Sequence, residues 1–129
     1  MMQPKWLTVQ MVKAMHAQAI SAFGGTDGIR DEGLLESALG RPQNLYAYGD
    51  TPSLFALAAA YTAGIIQNHS FLDGNKRAGL LAGNSFLSLN GYDFRPDEVE
   101  MVNVILALAA GETDEEKVAI WFEDNSVRR

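Results

Sequence analysis

Residues 53–77 read SLFALAAAYTAGIIQNHSFLDGNKR, and the change of character at position 69 decides how the chain folds. Ser53 is placed to cap a helix whose Ala56, Ala58, Ala59, Ala60 and Ala63 form a smooth face that lets neighbouring helices approach closely. Its apolar run, Leu54 to Ile66, falls short of the roughly 20 residues that cross a bilayer, so it reads as the buried centre of a soluble core. The helix must end near Gln67 or Asn68, because His69 to Gly74 is polar and contains Asp73-Gly74, a strong turn signal. A further helix is predicted from about Asn75 to Asn90, with Leu80, Leu81, Phe86, Leu87 and Leu89 apolar and Asn90-Gly91 as its stop.

Outward from this centre the pattern stays helical. Met11, Val12, Met15, Ala19 and Phe23 recur three and four apart, which predicts a first helix starting near Thr8 and stopped by Gly24-Gly25. Leu34, Leu35, Ala38 and Leu39 mark a short second helix over Asp31 to Leu39, ended by Gly40 and Pro42. Arg41 to Pro52 reads as a loop or short hairpin, with Tyr46 and Tyr48 available either for loop packing or as a target-docking surface. Beyond an extended Tyr92-Asp93-Phe94, Pro96 introduces a fifth helix over Val99 to Ala110. Thr113 to Glu116 has the spacing of a capping box, followed by a sixth helix carrying Val118, Ile120, Trp121 and Phe122. The expectation is a compact all-α, six-helix bundle, a single domain over residues 1–129, with a loop or hairpin flap before the third helix.

Composition narrows the function classes. The 129 residues include 10 Lys and Arg, 16 Asp and Glu and no Cys, for a net charge of −6. Extended nucleic acid and anionic membranes are recruited by clustered cations, which this chain lacks, and neither disulfides nor thiolate zinc sites are available. Met1 to Thr8 has one Lys and no continuous apolar core, so no secretory signal is expected and the cytoplasm is the default location. The nine acids between Asp97 and Asp124 face a single cation, Lys117, and are expected to form a solvated back. Between Thr51 and Phe94 the only charged residues are Asp73, Lys76, Arg77 and Asp93. An anion site there has to be built locally.

The stretch His69 to Arg77 supplies the parts. A loop feeding a helix start presents unpaired N–H groups and the positive end of the dipole, which together attract an anion such as phosphate. Gly74 lets the backbone turn tightly and come close to a ligand. Lys76 and Arg77 oppose the dipole in the first turn, at a cost of about 0.3–1 kcal/mol each where exposed, and a bound anion reverses that sign. Arg77 is suited to a bidentate grip on phosphate and Lys76 to a point charge. Asn75 can donate to a phosphate oxygen, and Asp73 is a hard oxygen ligand for magnesium. An unperturbed imidazole, with a pKa of about 6.5, can take a proton from an attacking hydroxyl, which makes His69 the candidate general base. Asp73 or Asn75 could equally cap the following helix. His16, on an otherwise plain first helix, is expected to be a satisfied structural side chain.

The motif His-x-Phe-x-Asp-Gly-Asn-Lys-Arg resembles the signature of the Fic/Doc superfamily, and Lys76, where Fic proteins proper have Gly, makes it similar to the Doc branch. The block from Arg30 to Gln43 and the order of helices resemble that family too. The resemblance implies transfer of a phosphate-containing group from ATP to a protein hydroxyl, with His69 as base, Asp73 on Mg2+, Gly74, Asn75, Lys76 and Arg77 seating the phosphates and Phe71 anchoring the loop in the core. For the Doc branch it implies a kinase that phosphorylates a threonine of elongation factor Tu, halts translation and is restrained by a Phd-type antitoxin. Ser70 replaces the Fic proline and Leu80 the second Fic arginine. Both Lys76 and Leu80 weigh towards phosphoryl transfer, and Leu80 leaves nothing for an inhibitory glutamate to pair with. Fic-type adenylyl transfer and a non-catalytic nucleotide- or partner-binding module are the alternatives.

Overall fold

The computed structural model describes residues 3–129 and contains six helices and one small two-stranded sheet among them. The elements are α1 (Val9–Phe23), α2 (Glu32–Tyr48), α3 (Leu54–Asn68), α4 (Asn75–Leu89), β1 (Tyr92–Phe94), α5 (Glu98–Ala109), α6 (Glu115–Asp124) and β2 (Ser126–Arg128). The all-α bundle expected from periodicity is the observed architecture.

Helix α3 is the axis of the bundle. Ser53 Oγ accepts the N–H of Ala56, the predicted cap, and every residue from Leu57 to Ile66 is buried. It packs chiefly against α4, α2 and α6. Two glycines one turn apart on α4 set how closely the first of these comes. A Cβ at Gly79 would fall within 3.0 Å of the Thr62 carbonyl, and one at Gly83 within 3.0 Å of Thr62 Oγ1 and Phe122 Cζ. Thr62 Oγ1 donates to the Gly79 carbonyl at 2.8 Å, so its hydroxyl is satisfied inside this contact. One apolar cluster draws on all six helices. No helix among the described residues is long and apolar enough to cross a membrane.

Three expectations change. The segment from Arg41 to Tyr48 is neither loop nor hairpin, because α2 continues through Gly40 and Pro42 to Tyr48 and only residues 49–53 link it to α3. The reason lies in the apolar stripe, which runs on past the breakers: Leu35, Ala38, Leu39 and Pro42 are buried and Leu45 and Tyr46 pack on the core. An interior proline costs about 3 kcal/mol in lost hydrogen bond and ring clash, and this burial offsets it. Tyr46 stands edge-on to Trp6 with centroids 5.6 Å apart, whereas Tyr48 is 88% exposed at the helix end. Neither sits on a docking loop.

The second change is the stripe of α1, which turns Val12, His16, Ala19 and Ile20 inward. Met11 and Phe23 face outward. The third is the start of α6, capped one residue later than the capping box implied, by Asp114 accepting from Lys117 N. The extended residues at β1 pair antiparallel with β2, Tyr92 opposite Arg128 and Phe94 opposite Ser126, a contact between distant segments that no local pattern announces. Of the nine acids from Asp97 to Asp124, all but half-buried Glu115 are exposed. Glu115 accepts from Arg41 at 2.7 Å.

Candidate active site

Helix α3 ends on His69, which adopts the left-handed conformation (φ 49°, ψ 51°) and breaks the chain away from the helix axis. A non-glycine residue there is disfavoured by roughly 1–2 kcal/mol. Arg30 answers that strain: its Nε donates to the His69 carbonyl at 2.7 Å and its Nη2 to the Asn68 carbonyl at 3.0 Å. Two of the acceptors that a helix end leaves orphaned are thus bonded, and a cation lies at the negative end of the dipole.

The motif is then held by a neighbouring segment running the other way. The Ser70 carbonyl accepts from the N–H groups of Arg30 and Asp31 at 2.8 and 3.1 Å, and Leu72 N–H donates to the Gly28 carbonyl at 3.1 Å. Ile29 and Phe71 form an antiparallel bridge. Phe71 is 1% exposed, in keeping with a loop anchor. The Ser70 hydroxyl, where Fic proteins carry proline, is buried without a partner.

Asn75 closes the turn. It is buried, its Oδ1 accepts from Phe71 N–H and its Nδ2 donates to the Phe71 carbonyl, both at 3.0 Å. The side-chain amide is therefore spent inside the loop, and what Asn75 can offer a phosphate is its backbone N–H. Nδ2 also lies 3.4 Å from His69 Nδ1, a contact too long to dictate the tautomer. The His69 ring is otherwise exposed, and a neutral imidazole keeps a lone pair on one of its two nitrogens with which to take a proton.

Gly74 caps α4 in the left-handed conformation (φ 75°) without a side-chain hydrogen bond. A Cβ there would meet Ile20 Cδ1 at 3.3 Å and His16 Nε2 at 3.5 Å, so both conformation and space call for glycine. The N–H groups of Asn75, Lys76 and Arg77 are first-turn donors without intrahelical acceptors. The same three residues, with Ile20, Gly24, Asp73 and Gly74, line a cavity of about 260 Å³. Lys76 and Arg77 are exposed, and the Arg77 guanidinium lies 4.7 Å from the centroid of the Phe23 ring. Leu80 instead lines an adjoining apolar groove between α4 and α5, so no second guanidinium enters the cavity.

Asp73 is gripped by backbone. Its Oδ2 accepts from Thr26 N–H at 3.1 Å and its Oδ1 from Gly74 N–H at 2.8 Å. The Thr26 hydrogen bond first, then that of Gly74, with the nearby Arg77 charge, hold its carboxyl below the ordinary aspartate value. The carboxylate is exposed and ionised. No cluster of three or more His, Cys, Asp or Glu occurs among the described residues. A lone ionised carboxylate beside a helix start with two cations suits Mg2+, since that ion keeps waters and shares substrate phosphates rather than entering an all-protein cage.

The structure thus brings His69, Phe71, Asp73, Gly74, Asn75, Lys76 and Arg77 into one turn and leaves Tyr46 and Tyr48 outside it. Sequence reasoning left three supports of the turn unassigned. Arg30 and Thr26 act through contacts 38–47 residues away that have no local signature. His16 is 2% exposed, with Nε2 2.7 Å from the Asp73 carbonyl. A signal for it existed, since it falls four residues from both Val12 and Ile20 on the buried stripe, where a polar side chain needs a partner.

Comparison with known proteins finds similarity over most of the chain. A family model described as Fic/DOC family matches residues 6–87. The chain is 35% identical over 106 residues to "Protein kinase doc" of Escherichia phage P1, covering 82% of this chain and 83% of that protein. It is 42% identical over 77 residues to "Toxin Doc" of Mycolicibacterium smegmatis, covering 59% of each.

Proposed function

The chain belongs to the Fic/Doc family, and on that premise we propose that it is a Doc-type toxin kinase, moving the γ-phosphate of ATP to a threonine hydroxyl of a target protein, with elongation factor Tu as that target. The observation that carries the reading is the single turn from His69 to Arg77, which joins an exposed imidazole, an ionised carboxylate and an uncapped helix start with two cations. The relative named as a protein kinase supports phosphoryl transfer over other uses of the same site.

In this reading the substrate's phosphates meet the N–H groups of Asn75, Lys76 and Arg77 and the side chains of Lys76 and Arg77. Asp73 would hold Mg2+, which when bound neutralises charge gathering on the phosphoryl oxygens. His69 takes the proton of the acceptor hydroxyl as that oxygen bonds to the γ-phosphorus. The bond from the γ-phosphorus to its bridging oxygen breaks and ADP departs with the electron pair. General-base assistance of this kind contributes about 10²–10⁴-fold. Lys76 and Leu80 favour this reaction over adenylyl transfer: one adds a cation where Fic proteins have open backbone, and the other withholds the second arginine. A Phd-type antitoxin is the proposed restraining partner, and the cytoplasm, where ATP and the target reside, the site of action.

Two parallel reactions test the assignment. Purified protein is incubated with elongation factor Tu and ATP labelled on either the γ- or the α-phosphate. Label is expected from the γ position alone, on a threonine, and lost in His69→Ala. Incorporation from the α-label alone establishes adenylyl transfer instead, and ATP binding without any transfer establishes a binding module.

A further inference from the structure

One buried titratable side chain, contributed by another helix, faces the motif turn without a role in the reaction above. His16 Nε2 lies 2.7 Å from the Asp73 carbonyl, so Nε2 carries the hydrogen and donates it. The imidazole lies flat on Phe71, centroids 3.8 Å apart and planes 8° from parallel. The same nitrogen stands 3.5 Å from where a Cβ on Gly74 would be. One side chain of α1 therefore touches two residues of the turn and fills the space beside a third. Asp27 Oδ1, 3.8 Å from Nδ1 and exposed, is the charged group on its other edge.

The consequence follows from peptide geometry. In a trans peptide the C=O of one residue and the N–H of the next point in opposite directions. Holding the Asp73 carbonyl towards His16 turns the Gly74 N–H the other way, and that N–H is the donor at 2.8 Å to Asp73 Oδ1. A chain of contacts thus runs from His16 through one rigid peptide to the carboxylate rotamer. The same peptide leads directly into the first turn of α4, whose N–H groups form the anion site.

We propose that His16 is a positioning residue for the phosphoryl transfer described above, and the inference rests on that reading. Its Nε2–H bond fixes the Asp73–Gly74 peptide, and thereby the direction of the Asp73 carboxylate and the start of α4. Its ring, stacked on Phe71, ties that peptide to the core.

Two variants separate the hydrogen bond from the ring. His16→Phe keeps an aromatic stack and loses the donor. His16→Gln loses the ring and keeps an N–H the same number of bonds from Cβ. In ligand-free protein, hydrogen exchange over residues 71–77 should be about tenfold faster in His16→Phe, the ratio that corresponds to one lost hydrogen bond, with the α3 core amides unchanged. The Mg2+ concentration giving half-maximal transfer should rise by about the same factor, kcat should fall, and KM for the protein acceptor should hold. His16→Gln should stay within about threefold of the parent in each. Unchanged exchange over 71–77 in His16→Phe overturns the proposal. So does acceleration spread over all helices, which marks a packing role, and so does a glutamine variant impaired as much as the phenylalanine one. If the parent transfers no phosphate, the kinase reading fails, while the exchange comparison still decides the role of His16.

Discussion

Replacing Asn75 by alanine should cost far more than its single side chain suggests, because the amide bonds both polar groups of one buried residue. Phe71 is 1% exposed, and its N–H and C=O are each paired at 3.0 Å with Asn75. An orphaned buried backbone group costs about 1–3 kcal/mol, so Asn75→Ala should destabilise by about 2–6 kcal/mol. A water filling the vacated space brings the figure to the lower end. Against the total of about 5–15 kcal/mol usual for a domain, that is a large fraction, and at about 4 °C per kcal/mol it lowers Tm by about 8–24 °C. Urea unfolding followed by circular dichroism gives the free energy directly, and an unchanged m-value shows that the same surface unfolds. Lys76→Ala, one residue further along and exposed, is the internal control. It removes a cation from the positive end of α4 and should stabilise by about 0.3–1 kcal/mol. Should Asn75→Ala unfold within about 0.5 kcal/mol of the parent, the amide does not hold the turn and the reasoning is refuted.

The close approach of α3 and α4 predicts that Gly83→Ala destabilises by about 2 kcal/mol, since overpacking against Thr62 Oγ1 and Phe122 Cζ outweighs the gain in helix propensity; a rise in the urea midpoint contradicts this. Tyr61 accepts the Leu7 N–H at 3.0 Å inside the core, and Tyr61→Phe, which leaves that donor orphaned, should cost about 1–3 kcal/mol by the same measurement. Burial raises the Tyr61 phenol above its ordinary value, so its contribution is present below an unfolded pKa of about 10 and fades as pH climbs through the higher folded value. Asp93 behaves oppositely: the hydrogen bond from Arg129, and then that from Arg95, lowers its carboxyl. Its stabilisation is present above an unfolded pKa of about 3.9 and is lost as pH falls through the lower folded one. Urea midpoints measured below about pH 4 should therefore fall less steeply with acid in Asp93→Asn than in the parent, and parallel slopes count against the pairing.

Much of the bundle is legible residue by residue. Thr8 and Ser53 accept hydrogen bonds from N–H groups three residues on, and apolar spacings of three and four mark the helices. These signals are visible because helix hydrogen bonds and caps span only a few residues of chain. Where local and tertiary preferences conflict, the local reading fails. Gly40 and Pro42 are genuine breakers, yet α2 passes through both, because burying Pro42 and packing Leu45 and Tyr46 on the core repays the break.

The candidate site divides along the same line. From sequence alone came the chemical types in the turn at His69 to Arg77, the helix start that follows them and the cations that oppose its dipole. Only the tertiary structure decided which way these groups point: Asn75 inward to Phe71, Asp73 onto the N–H of Thr26, the His69 carbonyl onto Arg30, and His16 beneath the turn. The contacts of Thr26, Arg30 and His16 cross 38–57 residues of chain. A directional hydrogen bond over such a separation depends on how packed helices bring the two strands of chain together, and no periodicity within either segment encodes it.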